Sequence, residues 1–573
     1  GTPATGTPAT GTPATGIPPT VPGAVRRAAA QWPDEEAVVD GDRRLSFSGL
    51  AGQMTRAARA FAASGVRPGD RVAIWAPNSL DWIVASLGVY AAGAVLVPVN
   101  TRFKGAEAAH VLRTAGARVL LTVTDFLGAD YVGMLAEDSD LLVGLEVIVL
   151  SGPPGDATAW DRFLEGAGTT PESADWTEPD PAEAGAGTAP ELPATRAGTV
   201  PGPTETEARL GPDDVSDIIF TSGTTGTPKG AMLTHGASTR TYVTWSRNVG
   251  LRHGDRYLVV YPFFHCAGLK SAVLACILTG ATVVPCPVFD VPTVMDLVVR
   301  ERISMLPGPP ALYQSLLNAD LSGYDTSSLR LAVTGAASVP VDLVRRMRED
   351  LRFASVVTAY GLTETTGTVS TCLHDDPLEV IAGTSGRPID GMEVRVVGRD
   401  GAVVPAGEPG EVQTRGYAVM LGYFDAPRAT AAAFTADGWL RTGDIGILDD
   451  NGNLRITDRS KDMFIVGGFN AYPAEIENMI SQHPGVAQVA VIGVPDERLG
   501  EVGFAYVIPR QGSPLTSAEL IAWCRGVMAN FKVPRYAELV TALPLNPSGK
   551  VLKYELRARA RRDAARRASS PVS

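Results

Sequence analysis

Apolar runs and helix-like segments alternate along most of the chain. Arg71–Trp75 and residues 94–99 are short, almost continuously apolar runs, and residues 80–92 between them have a helical pattern. Continuous apolar strands separated by helices are typical of parallel sheets buried on both faces. The pattern predicts an α/β fold, with a large N-terminal domain of mixed, largely parallel sheets sandwiched with helices.

A second pattern begins after residue 462. Residues 487–494 form an apolar strand-like run, and residues 517–529 have helical spacing. We expect a large domain at 21–458, a hinge at 459–462 and a small, mobile C-terminal α+β domain at 463–565.

Two segments interrupt this organisation. GTPAT occurs three times at the start, and so few large apolar groups predict that residues 1–20 are disordered. Residues 151–211 are rich in Pro, Gly and acidic side chains, which predicts a flexible insertion in the large domain. The last residues, about 555–567, are strongly basic, and a solvated helix end is the simplest interpretation.

Composition excludes several classes of function. With a net charge of −12, the chain has no global attraction for nucleic acid or anionic lipid. The five cysteines show no CxxC spacing, which favours reduced thiols over a zinc site. Without an apolar run of membrane-spanning length or a secretory signal pattern, the sequence predicts a cytoplasmic protein with no membrane span and no nucleic-acid partner.

The most informative stretch is residues 221–230, TSGTTGTPKG, which follows an apolar run. Its glycines allow backbone N–H groups to converge, its hydroxyls add donors, and Lys229 adds a positive charge, so the stretch suits a polyphosphate. The spacing differs from the usual nucleotide loop, which ends in Gly-Lys-Ser/Thr. An exposed Gly/Thr turn is the simpler alternative. We call residues 221–230 the phosphate-binding loop.

Four further motifs follow in order: residues 360–364 (YGLTE), 442–444 (TGD), 458–462 (DRSKD) and 547–550 (PSGK). With the phosphate-binding loop they resemble the adenylate-forming superfamily, which includes acyl-CoA synthetases, peptide-synthetase adenylation domains and firefly luciferases. Residues 215–220, 305–310 and 456–463 look most similar to actinobacterial ligases of steroid-derived or other polycyclic carboxylic acids.

The resemblance implies an ATP-dependent carboxylic acid:CoA ligase that works through an acyl-adenylate, with ATP, Mg²⁺ and CoA as cofactors. It implies that Lys550, Glu364, Thr221 and Lys229 are catalytic and that Glu364 holds the metal. The implied nucleotide-binding residues are Thr221, Ser222, Gly223, Thr224, Thr225, Gly226, Lys229, Gly335, Ala336, Ala337, Tyr360, Gly361, Thr363, Asp444, Ile456, Arg459 and Lys550.

Residues 261–270, here called the gate segment, resemble the family's gate motif beside the acid pocket. A lone histidine is more often a core residue, but the motif favours a role for His265 in binding. The implied lining of a roomy pocket is His265, Ala267, Ser271, Gly335 and Gly361. Lys461 is the implied pivot, and Gly467 and Gly468 the implied channel for the CoA thiol arm.

Three alternatives remain open at this point. An acyl-AMP ligase could pass its acyl group to a carrier protein or partner enzyme rather than to free CoA, because the pantetheine arm is shared. A luciferase-type oxidation lacks any residue that marks an oxygen-handling site. A nucleotide-binding module without turnover would have lost a catalytic group, whereas Glu364, Asp444, Arg459 and Lys550 are all present.

Overall fold

The structure is a computed structural model. It describes residues 16–135, 144–166, 206–207, 209–222, 228–335, 341–398, 400–459, 463–510, 512–544, 551 and 553–569.

Helices occur throughout the described residues, and several begin at side-chain caps. The Ser79 hydroxyl accepts a hydrogen bond from the N–H of Trp82 at the start of α3. The helices are α1 Val21–Gln31, α2 Phe47–Ala63, α3 Leu80–Ala91, α4 Gly105–Ala115, α5 Tyr131–Leu135, α6 Trp160–Glu165, α7 His235–Val249, α8 Cys266–Gly268, α9 Ala275–Thr279, α10 Val291–Arg300, α11 Pro310–Leu317, α12 Val341–Glu349, α13 Leu378–Gly383, α14 Pro427–Ala433, α15 Pro473–Ile480, α16 Ser517–Val527 and α17 Lys553–Ser569.

Strands alternate with these helices in the first part of the chain and dominate between residues 387 and 471. The strands are β1 Glu36–Asp40, β2 Arg43–Ser46, β3 Arg71–Trp75, β4 Val95–Pro98, β5 Ala117–Val123, β6 Glu146–Ser151, β7 Thr158–Ala159, β8 Val215–Ser222, β9 Pro228–Thr234, β10 Arg256–Val259, β11 Thr282–Pro285, β12 Leu331–Gly335, β13 Ser355–Tyr360, β14 Ser370–Thr371, β15 Arg387–Pro388, β16 Met392–Val397, β17 Gly410–Gly416, β18 Gly422–Tyr423, β19 Leu440–Leu448, β20 Leu454–Arg459, β21 Phe464–Val466, β22 Phe469–Ala471, β23 Val486–Asp496, β24 Gly500–Pro509 and β25 Tyr536–Leu539.

The largest sheet within the described residues has the order β18-β9-β8-β4-β3-β5-β6-β7. It is parallel from β8 to β7, and β9 and β18 add antiparallel pairs at one edge. Every residue of α3, the helix between β3 and β4, is buried except Asp81. The predicted α/β class with largely parallel sheets is therefore confirmed.

Two more sheets complete the large domain. The parallel pairs β10-β11-β1 and β12-β13 are linked through isolated bridges at Met305. Strands β16, β17, β19 and β20 form an antiparallel sheet that the apolar pattern did not indicate. Part of the segment expected to be a flexible insertion, residues 158–165, forms β7 and α6, and Thr20 of the expected disordered start caps α1.

The small C-terminal domain has one mixed sheet. Strands β22, β21, β24 and β23 pair antiparallel, and β25 adds a parallel pair to β24. Its core includes buried Ile476 of α15, Val491 of β23 and Leu520 of α16. The small α+β domain predicted from the sequence is thus present.

Candidate active site

The arms of the phosphate-binding loop are adjacent antiparallel strands. β8 ends at Ser222 and β9 begins at Pro228, and Thr221 lies opposite Lys229 in the register. The candidate residues Gly223, Thr224, Thr225 and Gly226 lie outside the described residues, so their phosphate contacts stay predictions.

Glu364 lies beside the first arm of this loop, strand β8, which carries Thr221. Its Oε1 atom accepts hydrogen bonds from the Thr221 hydroxyl at 3.3 Å and from the Tyr423 hydroxyl at 2.8 Å. Burial, together with the Glu364 carboxylate, raises the pKa of Tyr423 well above its usual value, so this phenol remains a donor. The Lys229 ammonium lies 5.6 Å from the centre of the Tyr423 ring. Three predicted catalytic residues, Glu364, Thr221 and Lys229, therefore lie close to Tyr423.

The turn that carries Glu364 is held in an unusual conformation. Residues Thr363–Thr365 form a 3₁₀ turn, and Thr366 follows with φ +55°, which is strained for a β-branched residue. The Tyr242 hydroxyl donates to the Thr366 carbonyl at 3.0 Å, and the Thr366 hydroxyl donates to the Ala418 carbonyl at 2.7 Å. These buried bonds fix the turn and hence the backbone from which Glu364 projects.

A second cluster surrounds Asp444. The Tyr360 hydroxyl donates to Asp444 Oδ2 at 2.6 Å, and the Asp444 N–H donates to the Thr442 hydroxyl at 3.1 Å. Asp444 on β19 lies opposite Arg459 on β20, and Gly446 lies opposite Ile456. The predicted nucleotide-binding positions 444, 456 and 459 therefore lie on two paired strands, and the side chain of Tyr360 reaches Asp444 from the end of β13.

The gate segment leads into a π-helical turn, Leu269–Leu274. His265 is half-buried, and burial lowers its pKa from 6.5 to about 4. The Ser271 hydroxyl donates to the Ala267 carbonyl at 2.5 Å. These three predicted pocket residues therefore lie close together along the chain, with His265 at the N-cap and Ala267 and Ser271 in the helical turns that follow.

A buried ion pair anchors this segment. The Lys270 ammonium lies 2.5 Å from Asp217 Oδ2 and 2.8 Å from the Ser238 hydroxyl, with the Lys270 side chain 1% exposed. Tyr90 donates to the other Asp217 oxygen at 2.5 Å. Because an isolated buried charge is costly, these bonds fix the register of the π turn against β8.

Two predicted pocket glycines are required by close backbone packing. A Cβ at Gly361 would lie 2.2 Å from the Gly367 carbonyl oxygen, and a Cβ at Gly335 would lie 2.7 Å from that of Ala359. Neither position accepts a side chain without moving backbone. The neighbouring candidates Ala336 and Ala337 lie outside the described residues.

Of the two predicted thiol-channel glycines, Gly468 faces the large domain, whereas Gly467 lies against Leu499 of the small domain. We call residues 467–469 the glycine turn. A Cβ on Gly468 would lie 3.2 Å from Pro309, and the Phe469 ring centre lies 6.2 Å from that of His265. Gly467 has φ +56° and Gly468 φ +89°, which explains a Gly-Gly pair here. The candidates Lys461 and Lys550 lie outside the described residues.

Sequence reasoning missed several residues of this region. Tyr423 contacts Glu364 but is 59 residues away, and it follows no motif. Asp217 lies in residues 215–220 and Lys270 in the gate segment, yet only the fold shows that they pair. Thr363, one of the predicted nucleotide-binding residues, is half-buried in the 3₁₀ turn beside Glu364.

Among the described residues, no group of three or more His, Cys, Asp and Glu side chains could hold a metal ion. Glu364 with the Thr221 hydroxyl fits Mg²⁺, which binds proteins through one or two carboxylates and completes its shell with phosphate and water. No helix in the described part of the chain is long and apolar enough to cross a membrane.

Two family models match the two domains of the chain. The AMP-binding enzyme model matches residues 25–424, and the AMP-binding enzyme C-terminal domain model matches residues 475–550. The chain belongs to the AMP-binding enzyme family. It is an acid–thiol ligase that forms acyl-CoA with ATP, which confirms the reaction predicted from the motifs.

The chain is 46% identical to a 3-(7a-methyl-1,5-dioxo-octahydroindenyl)propanoyl:CoA ligase of Rhodococcus jostii, over 94% of this chain and 98% of that protein. It is 45% identical to the ligase of the same description from Mycobacterium tuberculosis, with the same coverage. These similarities confirm the resemblance stated from the sequence. Because such relatives are CoA ligases, transfer to a carrier protein is not favoured.

Two solved structures of one relative differ in their likeness to this chain. A double mutant of o-succinylbenzoate CoA synthetase from Bacillus subtilis, bound to a CoA product analogue, matches with a TM-score of 0.77 at 28% identity, covering 94% of this chain and 98% of that one. The same synthetase in complex with its acyl-adenylate intermediate matches with a TM-score of 0.62, at the same identity and coverage.

Proposed function

We propose that the chain activates a bulky, polycyclic propanoate and transfers it to CoA. The observation that carries this proposal is the 46% identity, over nearly the full length of both chains, to a ligase for a bicyclic propanoyl group. The small residue Ala267 in the gate segment is consistent with a wide pocket, since it leaves room beside His265.

For the first step, we propose that Lys550 reaches the acid oxygen and the α-phosphate. The phosphate-binding loop would hold the leaving pyrophosphate, and Tyr360, Asp444 and Arg459 the nucleoside. Fixed charge at the reacting atoms stabilises the transition state without reorganisation, which suits an attack of one anion on another. Mg²⁺ held by Glu364 would supply further positive charge to the phosphates.

For the second step, we propose a rotation of residues 463–565 about Lys461, with the hinge at 459–462. The rotation would withdraw Lys550 and bring the glycine turn to the acid pocket. The contact between Phe469 and His265 supports this, and so does the higher TM-score with the CoA-product complex than with the adenylate complex. The present arrangement would then be that of thioester formation.

Mg²⁺ is the proposed metal and the cytoplasm the proposed location. A carrier protein would present the same pantetheine thiol as CoA, so the acyl-CoA product is verified directly. Mass spectrometry of a reaction containing acid and ATP, with and without CoA, distinguishes an acyl-CoA product from an acyl-AMP product.

A panel of acids tests the proposed substrate. Pyrophosphate release and acyl-CoA formation are measured with a bicyclic dioxo-propanoate, ferulate, a medium-chain fatty acid, acetate and an amino acid. We expect the highest kcat/KM with the bicyclic acid. A preference for acetate or an amino acid would contradict the proposal. The variant Ala267→Leu should lower kcat/KM for the bicyclic acid while sparing the smaller acids, because it fills the expected pocket.

A further inference from the structure

A buried ion cluster connects the two domains. The ammonium of Lys532, in the small domain, lies 2.5 Å from Glu107 Oε1 and 2.6 Å from Glu475 Oε1. The exposed fractions of the three side chains are 1% for Lys532, 8% for Glu107 and 5% for Glu475. Glu475 belongs to the small domain, whereas Glu107 belongs to the large domain.

The large domain contributes more than one contact to Lys532. Glu107 lies in the first turn of α4, and its Oε2 atom also accepts the N–H of Ala529 at 3.2 Å. The Phe103 ring centre lies 4.5 Å from the Lys532 ammonium. Burial of this ammonium opposes its charge, but Glu475 and Glu107 outweigh that cost and raise the pKa of Lys532. The charged lysine is therefore stabilised from both domains at once.

Packed rings connect this cluster to the glycine turn. Phe531 precedes Lys532 in the chain, and its ring centre lies 5.0 Å from that of Phe469. Phe469 in turn contacts His265 and lies 4.7 Å from the Arg102 guanidinium carbon. Since side chains in such a contact chain move together, the position of Lys532 constrains the glycine turn.

We propose that Glu107 is a positioning residue for thioester formation: by pairing with Lys532 it holds the glycine turn against the acid pocket. The proposal rests on the two-step function and the domain rotation proposed above. In any orientation that moves the small domain away, Lys532 keeps Glu475 but loses Glu107 and Phe103. The pair therefore stabilises one orientation and not the others.

The variant Glu107→Gln tests this, because the amide keeps an oxygen that can accept N–H groups but loses the charge. The rate of thioester formation is measured from supplied acyl-adenylate and CoA, and adenylation is measured by exchange of pyrophosphate with ATP. We expect thioester formation to slow by about 5- to 150-fold, the usual range for coupling between sites, with adenylation unchanged. Glu107→Asp, which keeps the charge on a shorter side chain, should show a smaller loss in the same half-reaction.

Glu393→Gln is the matched control. Glu393 pairs with Arg415 at 2.9 Å, both side chains are about half exposed, and both belong to the large domain. The same chemical change there should alter neither half-reaction. If Glu107→Gln does not fold, Glu107→Asp replaces it in the test, and the expected result is again slower thioester formation with unchanged adenylation.

Two results would overturn the inference: equal loss of both half-reactions, or an unchanged thioester step in Glu107→Gln. Failure of the proposed function gives a different result, since the unmodified protein would then lack acid-dependent pyrophosphate exchange or acyl-CoA formation. The two failures are therefore separated by measuring the unmodified protein first.

Discussion

The hydroxyl of Tyr360 donates a hydrogen bond of 2.6 Å to Asp444, and this bond joins the end of β13 to β19. Tyr360 belongs to the YGLTE motif and Asp444 to the TGD motif, and the two residues are 84 positions apart in the chain. Because the carboxylate is already oriented by a phenol, it can present its remaining lone pairs to ribose hydroxyls without rearranging.

Tyr360→Phe should therefore weaken use of ATP. A hydrogen bond to a charged group contributes about 1.5 to 3 kcal/mol, so kcat/KM for ATP should fall by about tenfold or more. The ring remains, so any stacking on adenine is preserved. Steady-state kinetics with varied ATP measure the effect. Tyr536→Phe, at an exposed tyrosine of the small domain, is the control, and an equal change in both variants would contradict the role of the bond.

Glu364→Gln should lower adenylation by about a hundred- to a thousandfold, since a preorganised charge near the phosphates is removed. Tyr423→Phe keeps the carboxylate and removes only its 2.8 Å donor, so it should cause a smaller loss. Titration of the exchange reaction with Mg²⁺ should show a higher half-saturating concentration in Glu364→Gln. An unchanged Mg²⁺ requirement would place the metal elsewhere.

Lys550→Ala should slow adenylation and spare thioester formation, whereas Glu107→Gln should do the reverse. Loss of the ammonium group should slow adenylation by about a hundred- to a thousandfold while conversion of supplied acyl-adenylate and CoA continues. Lys553→Ala, at a nearby lysine paired with Glu477 at 2.7 Å, should spare adenylation. Equal loss of both steps in Lys550→Ala would argue against its catalytic assignment.

His265 predicts a dependence of stability on pH. Burial lowers its pKa from 6.5 to about 4, so between these values the unfolded chain binds a proton that the folded chain does not. The free energy of unfolding should therefore fall as the pH decreases from 6.5 towards 4, and His265→Gln should reduce this dependence. Urea unfolding of both proteins at about pH 7 and about pH 5 measures the free energy of unfolding. The same pH dependence in the unmodified protein and in His265→Gln would contradict the prediction.

Local patterns in the sequence predicted much of the fold. β3, α3 and β4 were expected at nearly their observed bounds, because continuous apolar strands and a fully buried helix leave strong local signals. The antiparallel sheet of β16, β17, β19 and β20 was missed, because exposed polar residues interrupt its apolar positions.

Motifs identified many candidate residues near one another in the structure, but not their supporting contacts. Thr221, Glu364, Tyr360 and Asp444 lie in recognisable motifs. The contact of Tyr423 with Glu364 and that of Asp217 with Lys270 form only when distant segments of the chain pack together, and a single sequence carries no signal of such proximity. Lys532 was missed for the same reason, since its partner Glu107 is 425 residues away.

The tight backbone contact at Gly361, a predicted lining residue, limits which substitutions can be used to change acid selectivity. A methyl group there would meet the Gly367 carbonyl at 2.2 Å, so a side chain at this position would push two chain segments apart. Libraries that aim at new acids are better directed at Ala267, whose half-buried side chain lies in the gate segment. Both glycines among the candidate lining positions, Gly335 and Gly361, are thus fixed by the scaffold, and variation has to come from the other candidates.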